Sequence, residues 1–351
     1  MERIRSPKFS KPVFTCGEGV RFATPEIVAG YRAGRLKTGV LADISCGIGG
    51  QTVCFAEECD RIYGVDIDGE RLECARRNAG VYGVDNITFI EGDALSPHVV
   101  EQVADADIIF SDPARPATED MRQTDSLRPG IPMVLEAYGD VTDSFAFEAP
   151  PQMPPERVDF NCEREYLSVD GQLNRLTLYF GPLKRCERSG VVLKEDMYYR
   201  LMSGVSTPAG VPEADKILDY VFEPDPAVVK AGLLGELAAE LNINMGLVKI
   251  DARRSLLTSF SNIDSPFFKN RYRVLDKITF DCNKINRSLK EHSIGKALIR
   301  FNVPPDRYWE VRNKIESGLV GETTVHLYQI SGMIYIMEML KSEHSNHSAT
   351  G

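Results

Sequence analysis

The stretch Val40-Leu41-Ala42-Asp43-Ile44-Ser45-Cys46-Gly47-Ile48-Gly49-Gly50-Gln51-Thr52 decides the fold. Val40–Ile44 is an apolar run of strand length, and glycines follow it where a helix, read as Gly49 to Glu58, begins. Glycine is needed where backbone must pass close to a ligand, because any Cβ would intrude. In open α/β sheets that place is the carboxyl end of a strand. Working outward, Arg61–Ile67 reads as a second strand and Gly69–Tyr82 as a helix with Leu72, Ala75 and Ala79 inward. Ile87–Ile90 and Ala106–Phe110 add two more strands. Upstream, Thr24-Pro25-Glu26 starts a helix with a Thr cap, Pro at its first position, and Ile27, Val28 and Tyr31 as the apolar side. Strands alternating with helices predict a parallel sheet covered on both faces.

The alternation then stops. Phe147–Cys162 carries Pro150, Pro151, Pro154 and Pro155, which excludes a central strand or a helix interior. Arg164–Val169 and Gln172–Phe180 form a hairpin around Asp170-Gly171. A Rossmann-like parallel sheet closed by an antiparallel hairpin is the pattern of class I methyltransferases more than of nicotinamide dehydrogenases, an analogy at the level of fold. A second unit reads as small α+β, with a helix from Asp225-Pro226 to about Leu241, strands 272–280, 296–303, 323–330 and 333–340, and helices 283–292 and 306–317. The expected plan is a basic arm at 1–24, a methyltransferase domain at 25–205, an α+β domain at 213–340, and a disordered polar tail at 341–351.

A chain of 351 residues, 43% hydrophobic and 26% charged, is long enough for two domains and excludes wholesale disorder. It has no run of about 18 apolar residues, so no membrane span is expected. Met1-Glu2-Arg3-Ile4-Arg5 is too polar for a signal-peptide core. The eight cysteines (16, 46, 54, 59, 74, 162, 186, 282) lack zinc spacing and read as reduced thiols of a cytoplasmic protein. The five histidines show no ligand spacing, so no metal is expected. Lys249–Lys314 holds 15 Lys and Arg against 7 Asp and Glu, or +8, in a chain of net charge −10, so the remainder carries −18. Such polarity predicts a footprint for phosphate, against the plainer reading of a solvated helix face.

The glycine loop alone is ambiguous. Ser45, Gly47 and Gly50 nearly give the dinucleotide fingerprint with its first glycine replaced, which leaves a nicotinamide reading open. Three acids point elsewhere. Asp43 ends the first strand, where it faces an ammonium better than a pyrophosphate. Asp66 ends the second, where a carboxylate accepts both ribose hydroxyls. Asp93 follows the third, where it can accept from an adenine amine. Together they suit a ligand with an ammonium, a ribose and an adenine but no phosphate, namely S-adenosylmethionine. Acids that merely cap loop ends would account for one or two of the three.

The fourth strand ends in Phe110-Ser111-Asp112-Pro113-Ala114-Arg115-Pro116, where methyl acceptors sit in such folds. An acid followed by Pro fits methylation of an exocyclic amine. Asp112 and a backbone carbonyl at Pro113 would accept the two amine hydrogens and aim the nitrogen for in-line attack. Ser111 and Arg115 are candidate acceptor-binding groups, Arg115 by stacking on a base or pairing with phosphate. The plainer alternatives are a turn cap for Asp112 and a salt bridge to Glu119 or Asp120 for Arg115. Cys46 reads as a small buried thiol, and Trp309 as core or interface.

Phe22-Ala23-Thr24-Pro25-Glu26, the Asp43–Thr52 loop, Tyr63-Gly64-Val65-Asp66-Ile67-Asp68, Asn78-Ala79 with Tyr82-Gly83, and Gly92-Asp93 resemble the trimethylguanosine synthase-like RNA methyltransferases over about residues 20–115. That resemblance implies guanine-N2 chemistry with S-adenosylmethionine. It also implies that Phe22 and Thr24 help close a cofactor pocket lined by Asp43, Gly47, Gly49, Asp66 and Asp93. The family's Ser-Pro-Pro-Trp acceptor motif is here Ser111-Asp112-Pro113-Ala114-Arg115, without an aromatic, which leaves the acceptor open. The chain from 20 to 340 is also similar to a group in which a methyltransferase with Asp-Pro-Ala-Arg precedes a THUMP-like domain. Phe222-Glu223-Pro224-Asp225-Pro226, Asp264-Ser265-Pro266-Phe267-Phe268 and Tyr272-Arg273-Val274-Leu275 carry that similarity. THUMP domains proper bind RNA in tRNA-modifying enzymes, so this similarity suggests an RNA partner, tRNA or rRNA, and names no substrate. The reading is therefore a methyltransferase acting on a base amine of structured RNA. A protein or small-molecule acceptor and a non-catalytic binding protein are the alternatives, and the sequence says nothing of oligomeric state.

Overall fold

A computed structural model describes residues 1–113, 127–194, 197–204, 210–250 and 254–341. The chain divides into two compact units, Met1–Ser206 with Lys230–Leu233, and Thr207–Val229 with Leu234–Gly351.

The first unit opens with an antiparallel ribbon, β1 (Glu2–Ile4) and β2 (Val13–Thr15), a short helix α1 (Gly19–Phe22), and α2 (Glu26–Arg35). The alternating run follows: β3 (Val40–Asp43), α3 (Thr52–Glu58), β4 (Arg61–Asp66), α4 (Gly69–Tyr82), β5 (Ile87–Glu91), α5 (Pro97–Gln102), β6 (Ile108–Ser111), α6 (Ile131–Tyr138) and β7 (Phe145–Ala149). Local chemistry sets these bounds. The Asp68 carboxylate caps α4 by accepting from the N–H groups of Glu70 and Arg71, and Gly83 ends it at φ +78°. The helix expected from Gly49 starts instead at Thr52, because Gly49 at φ +81° lies outside helical geometry.

Four strands complete the sheet: β8 (Glu163–Val169), β9 (Gln172–Tyr179), β10 (Arg188–Lys194) and β11 (Met197–Met202). The order is β11-β10-β8-β9-β7-β6-β3-β4-β5. The strands from β5 to β7 are mutually parallel, and β9 joins antiparallel to both β7 and β8. The expected hairpin is present, with Asp170 and Gly171 both at positive φ as a tight two-residue turn demands. One exclusion made from the prolines began too early. Phe145–Ala149 is a wholly buried central strand, and Pro150-Pro151 ends it. Chain direction across the sheet reverses between β3 and β6, so the crevice opens beyond their carboxyl ends.

The second unit is α+β. Its sheet has the order β13-β14-β12-β15-β18-β17-β16, from β12 (Tyr220–Pro224), β13 (Gly246–Lys249), β14 (Ser255–Ser259), β15 (Phe268–Thr279), β16 (Ile294–Ile299), β17 (Thr323–Ile330) and β18 (Met333–Met339). Helices α9 (Cys282–Glu291) and α10 (Tyr308–Glu316) bury Ile285, Leu289, Val311 and Ile315 in one core with Ile294, Leu327, Ile334 and Ile336. The single helix expected from 225 to 241 is two, α7 (Pro226–Lys230) and α8 (Leu234–Glu240), because Gly232 turns left-handed at φ +68° between them. The tail expected to be disordered lies, from 342 on, outside the described residues. No helix among the described residues is long and apolar enough to cross a membrane.

Candidate functional site

The glycine loop is fastened from three sides. The Ile44 N–H donates to the Phe110 carbonyl on β6, and the Cys46 N–H to the Val65 carbonyl on β4, both at 2.9 Å. From α4, the Asn78 amide donates to the Ile48 carbonyl at 2.8 Å and to the Phe14 carbonyl at 2.9 Å. Two glycines serve different ends. At Gly49 a Cβ would lie 3.0 Å from the Cβ of Ala75, so this glycine lets α4 pack. At Gly47, φ +56°, a Cβ would meet nothing within 4 Å, so the bare backbone there borders open space.

Asp43 is buried and accepts from the Thr52 hydroxyl at 2.7 Å and the Ser45 N–H at 3.3 Å. Burial pushes its carboxyl up to about 7, with those two hydrogen bonds opposing. Asp66 accepts from the Gly47 N–H and the Asp68 N–H, each at 2.9 Å, so the second acid braces the loop it was expected to share a ligand with. Each carboxylate oxygen keeps a further lone-pair site. Asp93 is exposed, accepts from the Leu95 N–H at 2.9 Å, and borders Ala94, whose carbonyl the buried Tyr138 hydroxyl holds at 2.6 Å.

Two apolar side chains stand out of place. Ile67, between Asp66 and Asp68, is 72% exposed, and Phe22 is 64% exposed. Ile67 escaped the sequence reading; an aliphatic residue between two strand-end acids was its only signal. Thr24 is buried, with its hydroxyl donating to Glu148 at 3.5 Å and accepting from Arg175 at 3.4 Å. It therefore joins a group behind the loop rather than standing beside Phe22 in solvent.

At the end of β6, Ser111 and Pro113 are buried and Asp112 is half-buried. The Asp112 N–H donates to the Ser45 hydroxyl at 2.6 Å, and the Ser45 and Ser111 hydroxyls are 3.5 Å apart. Arg115 lies outside the described residues. Beneath this end sits a buried ionic group that sequence reading missed. Arg32 of α2 donates to Glu148 at 2.9 Å, to Thr177 at 3.0 Å and to the Gln51 side-chain oxygen, and Glu148 also pairs with Arg175. Glu148 and Asp112 both hold the Arg32 guanidinium above its ordinary pKa. A glutamate inside the otherwise apolar Phe145-Ala146-Phe147-Glu148-Ala149 was the available signal. A second group, Arg35 and Arg200 with Glu163 and Glu165, ties α2 to β8 and β11, and holds the Glu163 carboxyl down to about 2.

The crevice thus combines bare backbone, strand-end carboxylates and an exposed aliphatic surface on the β3–β5 side with a serine-anchored acid on β6. No group of three or more potential metal ligands occurs among the described residues.

Comparison with known proteins finds methyltransferases. The family described as RNA cap guanine-N2 methyltransferase matches residues 38–125. An uncharacterized S-adenosylmethionine-dependent methyltransferase of Mycobacterium tuberculosis is 28% identical over 290 residues, covering 80% of this chain and 75% of its own. The trimethylguanosine synthase of Saccharomyces cerevisiae is 27% identical over 192 residues, covering 50% of this chain and 56% of its own. A crystal structure of a candidate methyltransferase from Porphyromonas gingivalis W83 superposes with TM-score 0.72 at 16% identity, over 93% of this chain and 82% of that one.

Proposed function

We propose that this chain, an S-adenosylmethionine-dependent methyltransferase, methylates a base amine of a structured RNA, tRNA or rRNA. The observation that carries the proposal is the 2.6 Å bond from the Asp112 N–H to the Ser45 hydroxyl, which fixes the acceptor acid in register with the glycine loop.

The residues present fit the cofactor. Gly47 leaves open space against its backbone, Ile67 offers an exposed aliphatic face for the adenine, and Asp43, Asp66 and Asp93 take the ammonium, ribose and adenine amine. Phe22, an exposed aromatic, is assigned to closing the cofactor pocket. Bound there, S-adenosylmethionine supplies an electrophilic methyl on a sulfonium. The chain's own work is placement. The Asp112 carboxylate and the Pro113 carbonyl accept the amine's hydrogens, turning the lone pair out of conjugation and toward the methyl, and Asp112 is placed to take the proton released. Ser111 holds Asp112 through Ser45, and Arg115 is assigned to the acceptor's base or phosphate.

RNA is favoured by the +8 stretch between Lys249 and Lys314 and by the description of the matching family. We assign that stretch, in a THUMP-like domain over 213–340, to the RNA backbone; binding then weakens steeply with salt as counterions are released. The test is methyl transfer from radiolabelled S-adenosylmethionine into an extract of cells lacking this protein, with Asp112→Ala as control. RNase-sensitive label absent from the control supports the proposal. Label in protein or metabolites refutes it.

A further inference from the structure

Resting on the RNA reading above, we propose that the second unit carries a pocket for one unstacked nucleobase. The pocket lies between the end of β15, the segment after β16 and the start of α10. It is a cavity of about 150 Å³ lined by Phe280, Phe301, Asn302, Arg307, Val311 and Gln329.

Its chemistry suits a base better than a peptide or a lipid chain. Phe280 and Phe301 meet edge to face, centroids 5.7 Å apart at 83°, and Phe280 remains 46% exposed. That arrangement is an aromatic wall with a free face, and every base has a π-face to lay on it. Asn302 and Gln329 are exposed amides at the rim, each offering both donors and an acceptor, the combination that reads a Watson–Crick edge. Val311 closes the floor without a polar group.

A second observation comes from outside the cavity. Two residues after Phe280, α9 begins and turns Ile285, Ser288 and Leu289 inward while exposing Lys284, Arg287 and Lys290. No carboxylate among the described residues lies within ion-pairing distance of these three cations. Asp281 is occupied in capping α9 through the N–H groups of Asn283 and Lys284, and Glu291, beside Lys290 and four residues after Arg287, is exposed and forms no ion pair with either. A cationic helix that begins two residues after the cavity's Phe280 suits a phosphate backbone from which one base is turned into the cavity. An acidic peptide would satisfy the helix face but leave the two rings and both amides without a partner.

The chain carries its own reporter. Trp309, its single tryptophan, is 64% exposed two residues beyond Arg307, with Arg312 5.4 Å over its ring. The full-length protein would be titrated, following Trp309 fluorescence, with a short mixed-sequence single-stranded oligoribonucleotide and with an abasic oligomer of equal length and charge. The expected result is a saturable change, with binding about tenfold tighter for the base-bearing oligomer, the scale of one stacked base. Phe280→Ala should erase that difference while leaving the salt dependence and S-adenosylmethionine affinity unchanged. Gln329→Ala gives the same test if Phe280→Ala does not fold. Equal binding of both oligomers overturns the pocket, as does an equal response to polyglutamate. RNA labelling by the wild-type protein, measured in parallel, separates failure of the pocket from failure of the RNA reading.

Discussion

The Asp112 backbone N–H and the Ser45 hydroxyl, 2.6 Å apart, join the end of β6 to the loop after β3 across the point where the strand order reverses. The bond involves neither residue's ionisable chemistry, so its loss should act on alignment alone. Ser45→Ala is expected to lower kcat on the order of tenfold, against 10²-fold for a misplacement of a full ångström. S-adenosylmethionine affinity should stay within about twofold. Turnover and calorimetric affinity, measured side by side, check this; equal losses in both would assign Ser45 to the cofactor instead.

Gly47 and Gly49 should fail differently when given a methyl group. Gly49→Ala meets both a left-handed φ of +81° and Ala75 at 3.0 Å, so it should unfold about 2 kcal/mol more easily. Gly47→Ala has the strained φ but open space, so about 1 kcal/mol of stability goes, and the larger loss is in cofactor affinity. Urea unfolding and cofactor titration of the two variants distinguish these outcomes.

Asp43 makes the pH dependence predictable. Its carboxyl sits near 7 in the fold against an ordinary 3.8. Below about pH 4 both folded and unfolded forms hold the proton. Between there and 7 only the folded form does, so stability from this group falls as pH rises and levels off above 7. Asp43→Asn should therefore gain on the wild type between pH 5 and pH 8 in thermal melts. Cofactor affinity should run the other way in the wild type, rising through pH 7 as the carboxylate needed by the ammonium forms. At pH 6, binding should release a proton, seen as a buffer-dependent calorimetric enthalpy.

Arg32 and Glu148 are buried together, so removing one leaves the other's charge without full compensation. Arg32→Met is expected to cost about 3–5 kcal/mol of stability, the range for a broken buried pair. Glu148 keeps Arg175, which sets the cost toward the lower end. Chemical denaturation gives the number, and a cost below about 1 kcal/mol would show that the group rearranges freely.

These residues also show what a sequence discloses. The places of Asp43 and Asp66 at strand ends and of Gly47 and Gly49 in the loop were legible because each sits in a signal of ten residues or fewer, where strand, turn and helix follow one another. The place of Asp112, just after β6, was legible for the same reason. Arg32 and Glu148 are 116 positions apart and acquire meaning only once β7 lies between β6 and β9, which no local pattern encodes. Phe145–Ala149 was hidden by the prolines that end it, since a strand buried on both faces shows no alternation. The break at Gly232 was hidden for the opposite reason: the apolar spacing continues across it while the backbone does not.

Asn78 gives the loop a long reach. One amide holds the carbonyls of Ile48 and Phe14, and the Phe14 N–H returns to the Asn78 side-chain oxygen at 2.7 Å. The Phe9 ring lies where a Cβ on Gly50 would come within 3.2 Å of it. Whatever stiffens the glycines must therefore slow opening of the β1–β2 ribbon as well. Amide exchange at Phe14, and cleavage by trypsin at the basic residues around it, become a readout of whether the crevice is filled, taken some way from the filling itself.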